Sequence, residues 1–170
     1  MFKKVLILNT GGTFNKKYNQ ITGKLDVLSK SSNIKMIIKE IYKSNKQPKI
    51  RTIMSKDSLE IKKKDRKLII SSILQESEEN IIIIHGTDTM NKTARFLHKR
   101  IKNKTIILVG SMQPFSINKI EATGNLMMAL GFIENKNKKG VYICMNGIVN
   151  KHNKIKKDYE NAVFKRVINE

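Results

Sequence analysis

Five short runs of continuously apolar or β-branched residues constrain this chain more than any other feature. They cover residues 5–8, 50–54, 81–84, 105–109 and 141–145. A strand with one wet face alternates apolar and polar residues. A run without alternation suits a strand covered on both faces, as in a parallel sheet. Between the runs lie segments with helical spacing. Ile34, Ile37, Ile38 and Ile41 form one stripe, and Met90, Ala94, Leu97 and Ile101 a second. Leu126, Ala129, Leu130 and Ile133 form a third, and Ile69 with Ile73 and Ile70 with Leu74 form a fourth. These stripes predict helices that pack on the sheet. Strand and helix therefore alternate, which predicts an α/β fold with a parallel sheet and right-handed crossovers. Residues 14–29 hold no helical pattern and read as a hairpin or loop around Gly23. The stretch from Gly147 to Glu170 is polar and basic, with no assigned element.

The 170 residues are enough to bury a core in one domain, read here as 1–170. One cysteine, Cys144, excludes an internal disulfide and sits in an apolar run as a small core residue. No stretch is long and apolar enough to span a bilayer, and the first residues lack the pattern of a secretory leader. The reading is a cytoplasmic protein without a membrane partner. The net charge of +20 raises the question of nucleic acid. Only five of the 34 basic residues are arginine, the better reader of bases and phosphates. The lysines are spread along the chain, so nucleic acid is disfavoured as a partner.

In open α/β sheets, ligands bind beyond the carboxyl ends of the strands. The residues there are Thr10-Gly-Gly-Thr13, Ser55-Lys-Asp-Ser58, His85-Gly-Thr-Asp-Thr-Met90, Gly110-Ser-Met-Gln-Pro114 and Asn146-Gly-Ile-Val149. Singly, each has an ordinary structural explanation: a tight turn at the glycines, a helix cap at Thr89. Together they gather hydroxyls, the carboxylates of Asp57 and Asp88 and flexible backbone at one edge. The chain has no Gly-x-Ser-x-Gly elbow, no His-Glu-x-x-His, no phosphate-binding P-loop and no Gly-x-Gly-x-x-Gly. What remains is a hydroxyl nucleophile, which needs a base to take its proton. Glycine-rich backbone can stabilise an oxyanion. Acyl transfer is the reaction class that uses this set, and it requires no cofactor or metal.

Thr10-Gly-Gly-Thr-Phe14, His85-Gly-Thr-Asp-Thr-Met90 and Val109-Gly-Ser-Met-Gln-Pro114 resemble the signatures of the bacterial-type L-asparaginase family. The resemblance runs from the first strand to Phe164. It implies a doubly wound, Rossmann-like domain of the asparaginase N-terminal type, and hydrolysis of asparagine or a related small amide. It implies Thr13 as nucleophile and Thr87 with Asp88 as a second catalytic group, completed by a lysine. Counted without gaps from Gly140, that lysine is Lys157, with Lys156 and Lys154 as alternatives. Tyr18 matches the family's loop tyrosine. Gly12, Ser55, Lys56, Gly86 and Ser111 match positions that line the substrate. Asn125 matches an asparagine that begins the helix after the Met-x-Pro turn.

Two departures stand out. Lys56 replaces a residue, commonly glutamine, that holds the substrate's amino-acid end, and a cation there repels an ammonium. The smaller C-terminal domain of larger members is absent from these 170 residues. The resemblance also implies a homodimer or higher homo-oligomer. Two alternatives share the same motifs: a small-ligand-binding module without turnover, and the ammonia-generating component of a tRNA-dependent amidotransferase.

Overall fold

A computed structural model describes residues 3–43, 47–135 and 138–167. The two residues that open the chain, Met1 and Phe2, lie outside the described residues. A six-stranded sheet forms the centre, built from β1 (Val5–Gly11), β4 (Lys49–Lys56), β5 (Asn80–Ile84), β6 (Thr105–Val109), β7 (Gly140–Met145) and β8 (Ile148–Lys151). Its spatial order is β4-β1-β5-β6-β7-β8. The first five strands are parallel neighbours, and β8 runs antiparallel to β7. The sheet is thus mainly parallel. The polar tail, which carries no strand signal of its own, supplies the antiparallel edge. The fold is the α/β architecture that the alternation of strand and helix predicts.

Alternation along each strand splits the core in two. Val5, Ile7, Ile82, Ile84, Ile107, Val109, Tyr142 and Cys144 face one side. They meet α1 (Ser32–Ile41) and α4 (Lys119–Asn135) through Ile34, Ile37, Ile38, Leu126, Ala129, Leu130 and Ile133. Leu6, Leu8, Ile81, Ile83, Ile106, Leu108, Val141 and Ile143 face the other. They meet α2 (Lys63–Leu74) and α3 (Met90–His98) through Ile69, Ile73, Met90, Ala94 and Leu97. Both faces are covered, which is why the strands need no polar residues.

Two stripe positions differ from expectation. Ile41 and Leu74 are exposed, each as the last residue of its helix. Tyr42, one residue past α1, takes the buried place instead. Asn125 does not begin a helix: α4 starts at Lys119, and Asn125 lies inside it, buried. Residues 16–27 form the expected hairpin, β2 (Lys16–Asn19) with β3 (Lys24–Val27). A second hairpin, β9 (Ile155–Asp158) with β10 (Val163–Arg166), closes the described chain.

Sheet order fixes the location of a site. The chain leaves β1 toward β4 on one side and returns to β5 on the other. The carboxyl ends of β1 and β5 therefore flank the switch point, where a crevice opens between connections that diverge. Among the described residues, no helix is long and apolar enough to cross a membrane.

Candidate active site

The loops after β1 and β5 meet backbone to backbone. Gly12 has φ 74 and ψ −179, a conformation reserved for glycine. A Cβ there would lie 2.3 Å from the Gly86 amide nitrogen and 2.5 Å from its Cα. No side chain fits between these loops. Gly11, at φ 103, presses equally on Lys56, and the Gly12 N–H donates to the Lys56 carbonyl at 2.9 Å. Three strand-end loops are thereby locked around one point.

Asn9 and Asn15 hold the turn that carries Thr13. The Gly11 N–H donates to Asn9 Oδ1 at 3.1 Å, and Asn15 Nδ2 donates to the same oxygen at 2.8 Å. Thr10 donates its hydroxyl to the Ile84 carbonyl at 2.7 Å, so it is used in structure. Thr13 opens a 3-10 turn, half-buried, directly after Gly12. Phe14 is fully buried beneath it and stacks on Phe115 at 6.3 Å.

Thr87 is buried and Asp88 half-exposed at the end of β5. Lys157 Nζ donates to Thr87 Oγ1 at 2.9 Å and to Asp88 Oδ1 at 2.6 Å. The Lys157 side chain is only 9% exposed, against 35% for Asp88. Strand periodicity decides which lysine reaches inward. Ile155 and Lys157 share one face of β9, and Ile155 is buried, while Lys156 falls on the opposite face. Lys154 belongs to the turn before β9, its N–H on the Lys151 carbonyl.

Asparagines anchor this hairpin. Asn125 Nδ2 donates to the Gly110 carbonyl at 3.0 Å, and Asn125 Oδ1 accepts from the Asn146 N–H at 3.1 Å. Asn146 Oδ1 then accepts from the Phe164 N–H at 2.9 Å, opposite Lys157 in the β9–β10 register. The Cys144 thiol lies against the Asn125 carbonyl, and burial pushes its pKa up to about 12, so it is no nucleophile.

The other expected residues sit differently. Ser55 is half-buried near the end of β4. The Lys56 ammonium pairs with Asp65 of α2 at 2.7 Å. Burial alone would raise the Asp65 carboxyl, but hydrogen bonds from Lys56 and the Lys62 amide hold it below its usual value. The Lys56 charge is thus offset by a partner within the fold. Ser111 is buried, and its hydroxyl donates to the Gln113 carbonyl at 2.5 Å within its own turn. Tyr18 lies on β2 opposite Leu25 and is 55% exposed. The expected side-chain cap at Thr89 does not form: its hydroxyl donates to the Ser58 carbonyl at 2.7 Å, tying the β4 and β5 loops together.

Several contributors carry no local signal in the sequence. Tyr159 donates its hydroxyl to the Asp88 carbonyl at 2.9 Å, and Lys157 Nζ lies 5.0 Å from its ring centre. The period-two spacing from Lys157 is the one hint. His85 is wholly buried beneath the site. Its Nδ1 lies 2.7 Å from the Gly86 carbonyl, an acceptor only, so Nδ1 carries the proton. Its Nε2 accepts from the Thr93 hydroxyl at 2.9 Å, and Thr93 accepts from Arg66 Nε at 3.0 Å. Burial depresses the His85 pKa to about 4, so the ring is neutral at physiological pH. Among the described residues, no group of three or more His, Cys, Asp or Glu is placed to hold a metal ion. A hollow of about 370 Å³ borders the site, lined by Asp88, Asn91, Arg95, Lys156, Lys157 and Tyr159 among others.

Two threonine-bearing loops pressed together at the switch point, with a buried lysine from β9 reaching one of them, define a class: a doubly wound α/β domain with a strand-end threonine pocket. The family model described as "Asparaginase, N-terminal" matches residues 4–164, and the chain belongs to the asparaginase family. Among curated relatives, it is 32% identical over 129 residues to a subunit of the glutamyl-tRNA(Gln) amidotransferase of Thermococcus kodakarensis, covering 74% of this chain and 29% of that one. It is 30% identical over 152 residues to the glutaminase-asparaginase of Acinetobacter glutaminasificans, covering 84% and 46%. Among solved structures, the thermostable L-asparaginase from Thermococcus kodakarensis superposes with a TM-score of 0.82 at 26% identity, covering 96% of this chain and 51% of that one. The probable cytoplasmic L-asparaginase from Campylobacter jejuni superposes with a TM-score of 0.78 at 25% identity, covering 96% and 53%. The matches thus cover about half or less of these relatives and neighbours.

Proposed function

We propose that this chain hydrolyses the side-chain amide of asparagine or a related small amide, giving the carboxylate and ammonia. The observation that carries the reading is the contact of Lys157 Nζ with both Thr87 Oγ1 and Asp88 Oδ1, at a loop touching the one that bears Thr13.

In this scheme Thr13 Oγ1 attacks the amide carbon. The Lys157–Asp88–Thr87 set relays the proton that must reach the leaving nitrogen. Backbone N–H groups around Gly12 and Thr87 stabilise the oxyanion. Departure of ammonia leaves an ester on Thr13. Water, deprotonated through the same relay, cleaves it. Ser55, Lys56, Gly86 and Ser111 surround the rest of the substrate, with Lys56 tempered by Asp65. Tyr18, on the hairpin after the nucleophile, is assigned the role of the family's loop tyrosine. Support comes from the relatives named as asparaginases and glutaminase-asparaginases.

The test is ammonia release from asparagine, glutamine and simple amides by the purified chain. Activity that Thr13→Ala and Thr87→Ala each reduce by about a thousandfold supports the scheme. Equal rates in wild type and both variants would reject it, and calorimetric binding without turnover would identify a binding module.

A second reading is an ammonia-generating component of a tRNA-dependent amidotransferase. It draws on the 32% identity to a subunit of that enzyme and on the net charge of +20. Copurifying tRNA, with binding that weakens steeply in salt, is its signature. Homo-oligomeric assembly and a cytoplasmic location complete the proposal, the latter in line with the Campylobacter neighbour's description.

A further inference from the structure

A second cluster of titratable groups lies apart from the threonine loops. His98, the last residue of α3, and His152, just after β8, have ring centres 4.4 Å apart at 36°. They line a hollow of about 190 Å³ together with Lys139, Lys151 and Asn153. The charges around the pair are nearly all positive. α3 brings Arg95, the segment after it Lys102, the approach to β7 Lys139, and β8 Lys151. Lys139 is paired with Glu79, and among the described residues no acidic side chain lines the hollow. Among the described residues, neither Arg95 nor Lys151 enters an ion pair. His152 Nδ1 is buried and has no hydrogen-bond partner there. A buried donor or acceptor left unmet is costly, so a polar partner reaching this nitrogen would be favoured.

Two imidazoles in contact invite a transition metal, but the surrounding field decides against one. Several lysines and an arginine repel a cation, and among the described residues no third ligand of the kind a metal needs is placed beside the two rings. The helix C-terminus at His98 would itself oppose an anion, yet Lys102 Nζ already caps it at 2.6 Å from the His98 carbonyl. What the hollow lacks is negative charge with several acceptors spread in three dimensions.

We propose that this hollow binds the dianionic phosphate of a small phosphate monoester, with His98, His152 and Lys151 as hydrogen-bond donors and Arg95 and Lys102 as supporting charge. A terminal phosphate has three acceptor oxygens and a second ionisation near pH 6. Bound as the dianion, it favours the charged form of the neighbouring rings, which take up protons from solvent and then donate from both ring nitrogens. The concave shape suits a terminal group rather than a threaded phosphodiester. Burial first, and the neighbouring cations with it, hold both rings below the usual histidine range without a ligand. An anion reverses the electrostatic part of that shift.

The chain has three histidines, so proton NMR of the imidazoles separates them. Inorganic phosphate, glycerol phosphate and dimethyl phosphate are titrated at constant ionic strength. Saturable shifts of His98 and His152, but not of buried His85, with both pKa values rising, are expected for phosphate and glycerol phosphate. Lys151→Gln weakens binding at least about tenfold, as loss of a charged hydrogen bond does, while an unchanged His85 resonance reports an intact fold. No saturation at millimolar phosphate overturns the proposal. So does an equal response to the diester, or binding that Lys151→Gln and His98→Asn leave unaltered.

Discussion

Lys157 Nζ lies 2.9 Å from Thr87 Oγ1, although 70 residues of sequence separate the two. The contact joins a hairpin beyond the sheet edge to the end of a central strand. Three features make it specific. Ile155 and Phe164 bury the underside of the hairpin, Asn146 ties its second strand to the β7–β8 turn, and Tyr159 fastens its tip to the Asp88 carbonyl. A long lysine loses much side-chain freedom when fixed, so a lysine held on two acceptors is supported by its surroundings.

Replacing Lys157 by methionine keeps length and removes the ammonium. Under the proposed chemistry, amide hydrolysis then falls by about 10²–10⁴, the span of general acid–base contributions. Lys157→Arg fails to restore it, because a guanidinium does not give up its proton. Initial rates of ammonia release decide this. A Lys157→Met enzyme retaining more than about a tenth of wild-type kcat would remove the lysine from the mechanism.

Tyr159→Phe deletes the hydroxyl that holds the Asp88 carbonyl and keeps the ring beside Lys157. The expected result is a fall in kcat of about two- to tenfold, matching one hydrogen bond. Tyr159→Ala, which also removes the ring, costs more. Equal kcat values for all three proteins would mean that the tyrosine has no part in placing the lysine.

Gly12→Ala collides with the Gly86 backbone and forces a side chain onto φ 74. Destabilisation of about 1–3 kcal/mol is expected from the backbone conformation alone. Gly124 is the control: it lies in α4, and a Cβ added there would meet nothing within 4 Å. Alanine there stabilises by up to about 1 kcal/mol. Urea denaturation of both variants against wild type measures the contrast, and matching midpoints would refute the close-approach argument.

Acid stability follows from His85. Its folded pKa, about 4, lies below the ordinary 6.5, so the unfolded chain binds more protons between these values. Stability is therefore full above pH 6.5 and falls as the pH drops toward 4, by about 3 kcal/mol from this group. His98 and His152, also held below the usual range, add in the same direction. Denaturation midpoints taken from pH 7 to pH 4 test the slope. A His85→Asn variant, whose amide can still donate to the Gly86 carbonyl, should show a shallower decline.

The five parallel strands were legible because a residue covered on both sides of a sheet has no polar option, so the run announces itself locally. The helical stripes were legible for the same kind of reason, and failed where a helix ends, at Ile41 and Leu74. Thr13, Thr87 and Asp88 stood out because they follow strands, where the fold opens. Lys157 could not be separated locally from Lys154 and Lys156, since three lysines in a basic tail look alike until strand register turns one inward. His85 opens a motif that stands out, but its buried link through Thr93 to Arg66 did not show, because the three lie on different elements.

The sequence by itself determined the five parallel strands, the helices between them and the edge at which a site opens, since each follows from short-range pattern and solvent exposure, whereas the three strands of the polar tail did not show. Only the tertiary structure decided which groups touch there: the Gly12–Gly86 contact, the lysine that reaches Thr87, and the pairing of Lys56 with Asp65. Those depend on crossover geometry and strand register, quantities set by packing among residues far apart in the chain.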